Sequence, residues 1–360
     1  MDVAFSARQV ERCRVRGNVF FESNRIFSCA FTEGVSRALG ADRSAANLVG
    51  GFLSIDGLLA WAHWNARSHR DRELAGNFGQ ATRPAGDAMW AGLAAGTRTM
   101  ELLSQAAPRE LAPFMSVVQR QDLARAAAVY SGLSAVAAVH PDAPLHLWEI
   151  GAGSGLLLYA DRYRYSFSGR KVGAPDAAMF VDDFPVADPW LPIGGRMSVA
   201  SRRGCDVQPL DPRDPDGRDR ALSWLPPEDQ PLITRIERAL DFIAEQPDLT
   251  LEPVDAFDFV TQIGSSAAPG VHVIISSCVE QHWTEAQRAR FDALVGSLVL
   301  AAPANAPVGV VRVTATAQRR TLEVGAGREF PITEVAHMAD GRWQASDVGR
   351  YLGQRSLGRA

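Results

Sequence analysis

The spacing of apolar positions changes character near residue 141, and that change divides the chain. Before it, apolar residues recur at helical intervals and β-branched runs are scarce. Ala91 to Ser104 and Leu123 to Val139 are Ala- and Leu-rich stretches with few breakers, separated by Pro108 and Pro113. Between Asp122 and His140, the positions Leu123, Ala126, Ala127, Val129, Tyr130, Leu133, Val136 and Ala137 predict one face of an amphipathic helix. After Pro141 the pattern becomes short apolar runs bounded by breakers. His146 to Ile150 runs into Gly151-Ala-Gly-Ser-Gly155, and Leu249 to Val254 and Val271 to Ser276 follow. Helical patterns at Leu232 to Glu245 and Thr284 to Leu298 lie beside the second and third runs. Strands alternating with helices predict an α/β fold with a mainly parallel sheet covered on both faces. Val308 to Thr314, Thr321 to Val324 and Ile332 to His337 follow closely on one another, which predicts a last parallel strand and an antiparallel finish. The expected organisation is a helical cap domain over 1–140 and an α/β domain over 141–360. Residues 161–210, rich in Arg, Pro, Gly and Asp, form an insertion of irregular or hairpin structure.

Composition narrows the class. A chain of 360 residues with 46% hydrophobic and 22% charged residues can bury a core without staples, which excludes collagen-like, disordered and coiled-coil chains. A net charge of −4 gives no electrostatic case for a nucleic-acid partner. Lys171 is the sole lysine, which leaves little room for Schiff-base or lysine–phosphate chemistry. Cys13, Cys29, Cys205 and Cys278 are far apart, as free thiols in a reducing compartment would be. The first residues carry charges where a signal peptide needs an apolar run. The most apolar stretch, Leu294 to Val313, is broken by Pro303, Asn305 and Pro307, short of a membrane span. The expectation is a cytoplasmic protein without a membrane partner.

The strongest local signal is Leu147-Trp-Glu-Ile-Gly-Ala-Gly-Ser-Gly155. Glycines there let the chain turn sharply and let a ligand approach the backbone, while a helix after them presents free N–H groups. A dinucleotide fingerprint needs a third glycine at position 156, which is leucine. No Gly-Lys-Ser/Thr exists for a Walker loop, and Ala152 stands where a nucleophile elbow needs glycine. Gly151, Gly153 and Gly155, preceded by Glu149, instead match the first-strand motif of S-adenosylmethionine enzymes. Asp206 then falls where a ribose diol would be received, and Asp255 and Ala256 where an adenine would be met. All three acids are expected at the carboxyl ends of parallel strands, which line the ligand crevice. The interval from Gly151 to Asp206 exceeds the ~30 residues of an ordinary βαβ unit, so the insertion must loop out. Metal sites are not expected. Asp211 to Gly217 fails as a calcium loop at its first and last ligands, and the histidines show neither HExxH nor HxH. Ser276 to His282 follows a strand at the same crevice, which makes His282 and Glu280 candidate bases and Ser276 a candidate ligand contact.

From Ser116 to Trp343 the sequence resembles a bacterial family known as domain of unknown function 2332. The family's Q-T-N-E-x-x-R helix start is similar to Gln119-Arg-Gln-Asp-Leu-Ala-Arg125, and its E-V-G-A-S-A-G-L-N-L-x-x-D-R-Y to Glu149 through Tyr163. Its acidic loop and tryptophan segment resemble Asp211 to Trp224. Its H-x-x-G-R-W ending resembles His337 to Trp343, with one extra residue before Gly341. Gln121 and Asp122 replace Asn and Glu, and Leu157 replaces Asn, which implies a different substrate if those side chains contact it. The resemblance implies a class I methyltransferase-like, Rossmann-like fold with a helical cap, and S-adenosylmethionine as cofactor.

Three functions are compatible with these residues. One is methyl transfer to a small molecule, in which the protein chiefly aligns a nucleophile. Another is an S-adenosylmethionine cyclase or lyase releasing methylthioadenosine, which needs an aromatic wall for the sulfonium, with Trp148, Tyr159, Tyr163 and Tyr165 as candidates. The last is a cofactor-binding module without turnover. Gln119, Asp122 and Arg125 sit at helical spacing, with Arg125 placed to hold a carboxylate, including the cofactor's own, or to pair with Asp122.

Overall fold

The computed structural model describes residues 3–41, 45–116, 118–175, 177, 180–184, 197–266, 268–315, 319–340 and 342–357. The chain forms two compact units. One comprises Met1–Gln121 and Pro212–Arg238, the other Asp122–Asp211 and Ala239–Ala360.

The first unit is helical, with α1 (Val3–Glu22), α2 (Ile26–Ala41), α3 (Ala45–Gly51), α4 (Ile55–Arg67), α5 (Arg72–Phe78), α6 (Ala85–Leu103) and α7 (Pro108–Met115). Ser54 caps α4 by accepting from the Gly57 N–H, and Asp71 caps α5 by accepting from Leu74. Phe27, Phe31, Val35 and Leu39 recur every four residues along α2 and are fully buried. The α2–α6 pair is close because a Cβ on Gly92 or Gly96 would strike the Phe27 or Phe31 carbonyl at 2.4 and 2.3 Å. The 212–238 segment joins this unit through α9 (Pro215–Ser223). Trp224 stacks on Phe114 at 6.0 Å, and Trp64 Nε1 donates to Asp216.

The second unit contains α8 (Ala124–Val139), β1 (Leu145–Ile150), β2 (Arg164–Phe167), β3 (Arg170–Gly173), β4 (Phe180–Phe184) and β5 (Val199–Cys205). It continues with β6 (Leu249–Glu252), α11 (Ala256–Thr261), β7 (Val271–Ser277), α12 (Glu285–Ala301), β8 (Val308–Ala315), β9 (Arg320–Ala326), β10 (Thr333–Ala339), β11 (Arg342–Ala345) and α13 (Asp347–Leu357). Helix α10 (Gln230–Ala244) carries the chain from the 212–238 segment into this unit. The large sheet has the order β11-β10-β9-β8-β7-β1-β5-β6. Strands β6, β5, β1, β7 and β8 pair in parallel, and β9, β10 and β11 form an antiparallel meander. Every residue of β1 and β7 is buried, as befits parallel strands covered on both faces. On one face Trp148, Ile150 and Ile274 pack with Phe257 and Phe259 of α11 and Phe291 and Val295 of α12. On the other lies α8, where a Cβ on Gly132 would stand 2.5 Å from Val311 Cγ1.

Several expectations need correction. The helix at 124–139 is buried all round rather than amphipathic, because it packs over β8 and β9 inside the sheet unit. The boundary therefore falls near residue 121 rather than 140, and 212–238 crosses back to the helical unit. The 161–210 stretch is not all insertion. Its end is β5, beside β1 in the sheet, and its start is a three-stranded sheet of order β3-β2-β4. Residues 176, 178–179 and 185–196 of that stretch, and Gly341, lie outside the described residues. The glycine loop leads into a 3₁₀ turn, Leu156–Arg162, rather than an α-helix. Gln119 and Asp122 precede the helix, and Asp122 Oδ1 accepts from the Ala124 N–H. Among the described residues, no helix is long and apolar enough to cross a membrane, and no group of His, Cys, Asp and Glu could hold a metal ion.

Candidate functional site

The order of the parallel strands reverses at β1: β5 and β6 extend to one side, β7 and β8 to the other. Gly151, Gly153 and Gly155 follow β1 with φ of 64°, 53° and 78°. These are left-handed conformations that cost an L-residue about 1–2 kcal/mol. At Gly151 a Cβ would also stand 2.3 Å from Val279 Cγ2. The glycines are therefore required by backbone conformation, as the motif implied.

The loop is tied to β5. Asp206, 8% exposed, accepts from the Gly153 N–H at 3.1 Å and, with its other oxygen, from the Gln208 N–H at 2.9 Å. The Gly153 carbonyl accepts from Leu210 N–H. Asp255 caps α11 by accepting from Phe257 N–H and is exposed, with Ala256 opening that helix. Glu149, Asp206 and Asp255 all act electrostatically on the buried Cys205 thiol, which burial above all pushes up to about 12. The three acids expected in the crevice are thus gathered at the carboxyl ends of β1, β5 and β6.

Glu149 is 2% exposed, and its Oε2 has no hydrogen-bond partner among the described residues. Burial raises its pKa well above the ordinary carboxylate range. Arg125 opposes that rise, Asp206 adds to it, and a backbone hydrogen bond from Leu158 opposes it. Arg125, in the first turn of α8, donates to the Ser277 carbonyl at 3.1 Å and lies 3.6 Å from Asp122. The ion pair with Asp122 exists, but not on the helix face the spacing implied. Gln119 is buried in the helical unit, where its carbonyl accepts from Gln121 Nε2.

The candidate bases separate. Ser276 donates to Glu280 Oε1 at 3.0 Å, and Arg312 Nε sits 3.0 Å from that oxygen. That pairing makes the Glu280 carboxylate first a counter-ion to Arg312, although burial raises its pKa against the pull of the guanidinium. His282 is exposed, accepts from Gln281 Nε2 at 3.2 Å, and has its pKa lowered by partial desolvation. Tyr163 is fully buried and donates to the Leu156 carbonyl, which withdraws it from any catalytic role. Tyr165 donates to Ala160, and Tyr159 donates to Asp248 beneath the Arg202 guanidinium. Trp148 faces the α11–α12 core. These rings are packing, not a wall around a ligand. Ser277 and Arg312 were missed. Arg312 had a signal, being the one charge in the apolar run Val308 to Thr314.

A family model described as "Uncharacterized protein conserved in bacteria (DUF2332)" matches residues 54–354, from α4 into α13. No curated protein and no solved structure matches the chain.

Proposed function

The chain belongs to this bacterial DUF2332 family, and we propose that its sheet unit binds S-adenosylmethionine and directs methyl transfer to a small-molecule acceptor. The observation that carries the reading is the left-handed glycine loop after β1, pinned through Gly153 to Asp206 where the strand order reverses. Open α/β sheets bind ligands at such a reversal. The five parallel strands support a class I methyltransferase-like arrangement, whereas the 3₁₀ turn after the loop and the plain antiparallel meander depart from it.

The side chains suit the cofactor. Glu149 Oε2 lacks a donor, which the cofactor's ammonium group supplies. Asp206, at the carboxyl end of β5 and pinned to the Gly153 N–H, stands where a ribose hydroxyl would be received. Exposed Asp255 retains capacity for an adenine amino group. When bound, S-adenosylmethionine supplies an electrophilic methyl group, and the chain's task is to align the acceptor. His282, exposed and held toward its neutral form, is the base for an acceptor that must lose a proton. The tyrosines favour transfer over intramolecular cyclisation, because the rings of Tyr159, Tyr163 and Tyr165 are fully buried against one another, Phe167 and Phe242 and leave no face for a sulfonium.

Thermal denaturation tests the reading. A ligand at a hundredfold its Kd stabilises the folded state by about 2.7 kcal/mol. S-adenosylhomocysteine should raise the Tm, NAD should not, and Gly153→Val should abolish the shift because a β-branched residue resists φ of 53°. Stabilisation by NAD with none by S-adenosylhomocysteine refutes the assignment.

A further inference from the structure

At the amino end of the sheet, opposite the glycine loop, Ser201 of β5, His146 of β1 and His272 of β7 form one row across three strands. Both histidines are buried, and their rings stack with centroids 4.8 Å apart. Their partners dictate where the protons sit. His146 Nε2 faces the Pro269 carbonyl at 3.1 Å, and His272 Nε2 faces the Ala268 carbonyl at 3.0 Å. A carbonyl only accepts, so both Nε2 atoms carry hydrogen. Trp148 Nε1 lies 3.2 Å from His272 Nδ1, and an indole N–H only donates. His272 Nδ1 must therefore be bare, and the ring neutral. His146 differs, because its Nδ1 faces the Ser201 hydroxyl at 2.8 Å, which can donate or accept.

We propose that this row is an acid-sensitive latch that holds the turn at 268–270 against β1 and β7 and releases it when His272 is protonated. A proton on Nδ1 opposes the Trp148 N–H and leaves the Nε2–H bond to Ala268 intact, so the ring is driven off the indole and draws the Ala268 carbonyl, and the turn it belongs to, out of place. A proton on His146 keeps its hydrogen bonds but places a cation against the stacked ring. The charged groups around the row are Arg203, whose guanidinium lies 4.5 Å over the Trp148 ring, and Glu252, which pairs with Arg203; neither is bonded to an imidazole. Burial lowers the His272 pKa from its ordinary value, and His146 adds to this against the Ala268 bond. An unfolded imidazole takes its proton near 6.5. Just below that pH the unfolded chain holds more protons than the folded one, so stability is full above it and falls as pH falls.

The latch is tested by denaturant unfolding from pH 7.5 down to 5.5, comparing the unsubstituted chain with His272→Gln, which cannot titrate but keeps an amide donor for Ala268. Below pH 6.5 the folded-to-unfolded ratio of the unsubstituted chain should fall up to about tenfold more per pH unit than that of the variant. Parallel profiles overturn the proposal. Should His272→Gln fail to fold, imidazole NMR on the unsubstituted chain decides. The ring next to the Trp148 indole proton should be the Nε2–H tautomer and should titrate below the ordinary imidazole value, and an Nδ1–H tautomer or titration at or above about 6.5 overturns it. Exchange of the Gly270, Val271 and His272 amides, corrected for intrinsic rate, should quicken between pH 7.5 and 5.5. These amides bond to Asn305, Pro144 and Pro307, and unchanged exchange rules out release of the turn.

Discussion

Replacing Glu149 with Gln separates two opposed accounts of the loop. If Arg125 dominated, Glu149 would be a paired anion and the fold would gain stability as pH rises. Burial dominates instead, since Arg125 is bonded to Ser277 and lies near Asp122, and Glu149 Oε2 is left without a partner. The folded state then keeps a proton that the unfolded chain has lost. Stability contributed by this group is full below about pH 4.3, the unfolded value, and falls as pH rises through the interval up to the raised folded pKa. The slope is about 1.4 kcal/mol per pH unit, one proton's worth. For a domain of this size that corresponds to roughly 3–6 °C in Tm per unit. Glu149→Gln is a near-isostere that cannot titrate, so the Tm of the unsubstituted chain relative to the variant should decline between pH 5 and 7. Taking this difference cancels the opposite contribution of His272. The same proton should be released when a cationic ligand group reaches Glu149, so calorimetry of S-adenosylhomocysteine binding in buffers of different ionisation enthalpy should show proton release that the variant lacks. A Tm difference that is constant or rises with pH across this interval refutes the reasoning.

Gly132→Leu should destabilise by about 1–3 kcal/mol through overpacking, read by urea unfolding, because Val311 leaves no room for even a Cβ. Arg202→Met should cost about 3–5 kcal/mol, since it strands Asp161, which now accepts from both guanidinium amino groups at 2.7 and 2.8 Å. Urea unfolding with an unchanged midpoint would show that this pair is not structural. Asp206→Asn should cost about 1–3 kcal/mol and weaken S-adenosylhomocysteine binding in the same calorimeter, because an amide cannot accept both the Gly153 and Gln208 N–H groups.

The strands that could be read from the sequence were those whose short apolar runs are set off by breakers: β1, β6, β7 and β8, with β9 and β10 as the antiparallel finish. Strand β5, Val-Ala-Ser-Arg-Arg-Gly-Cys, could not be read, because two arginines interrupt it. Both are satisfied by tertiary partners, Arg202 by Asp161 and Asp248 and Arg203 by Glu252. No local pattern reports a partner about forty residues away. The placement of 212–238 in the helical unit was hidden for the same reason, since it depends on Trp224 meeting Phe114 and His63 meeting the Ser223 carbonyl. Leu156-Leu-Leu-Tyr-Ala160 has helix-forming composition, yet its turn tightens to 3₁₀.

At the site, legibility follows how many uses a residue type has. A glycine at φ near 60° has few substitutes, so Gly151, Gly153 and Gly155 could be identified from their order alone. A carboxylate at a strand end has several uses, and sequence order does not choose among them. Asp206 spends one lone pair on each of two backbone N–H groups, Asp255 caps a helix, and Glu280 balances Arg312. The tyrosines carried a signal that the functional reading passed over. Tyr163, Tyr165 and Phe167 alternate with Arg164 and Ser166, the period of a strand with one face in the core. That alternation argued for packing before any hydroxyl was located, and the bonds from Tyr163 to Leu156 and from Tyr165 to Ala160 show why the rings can be buried without leaving a polar atom unpaired.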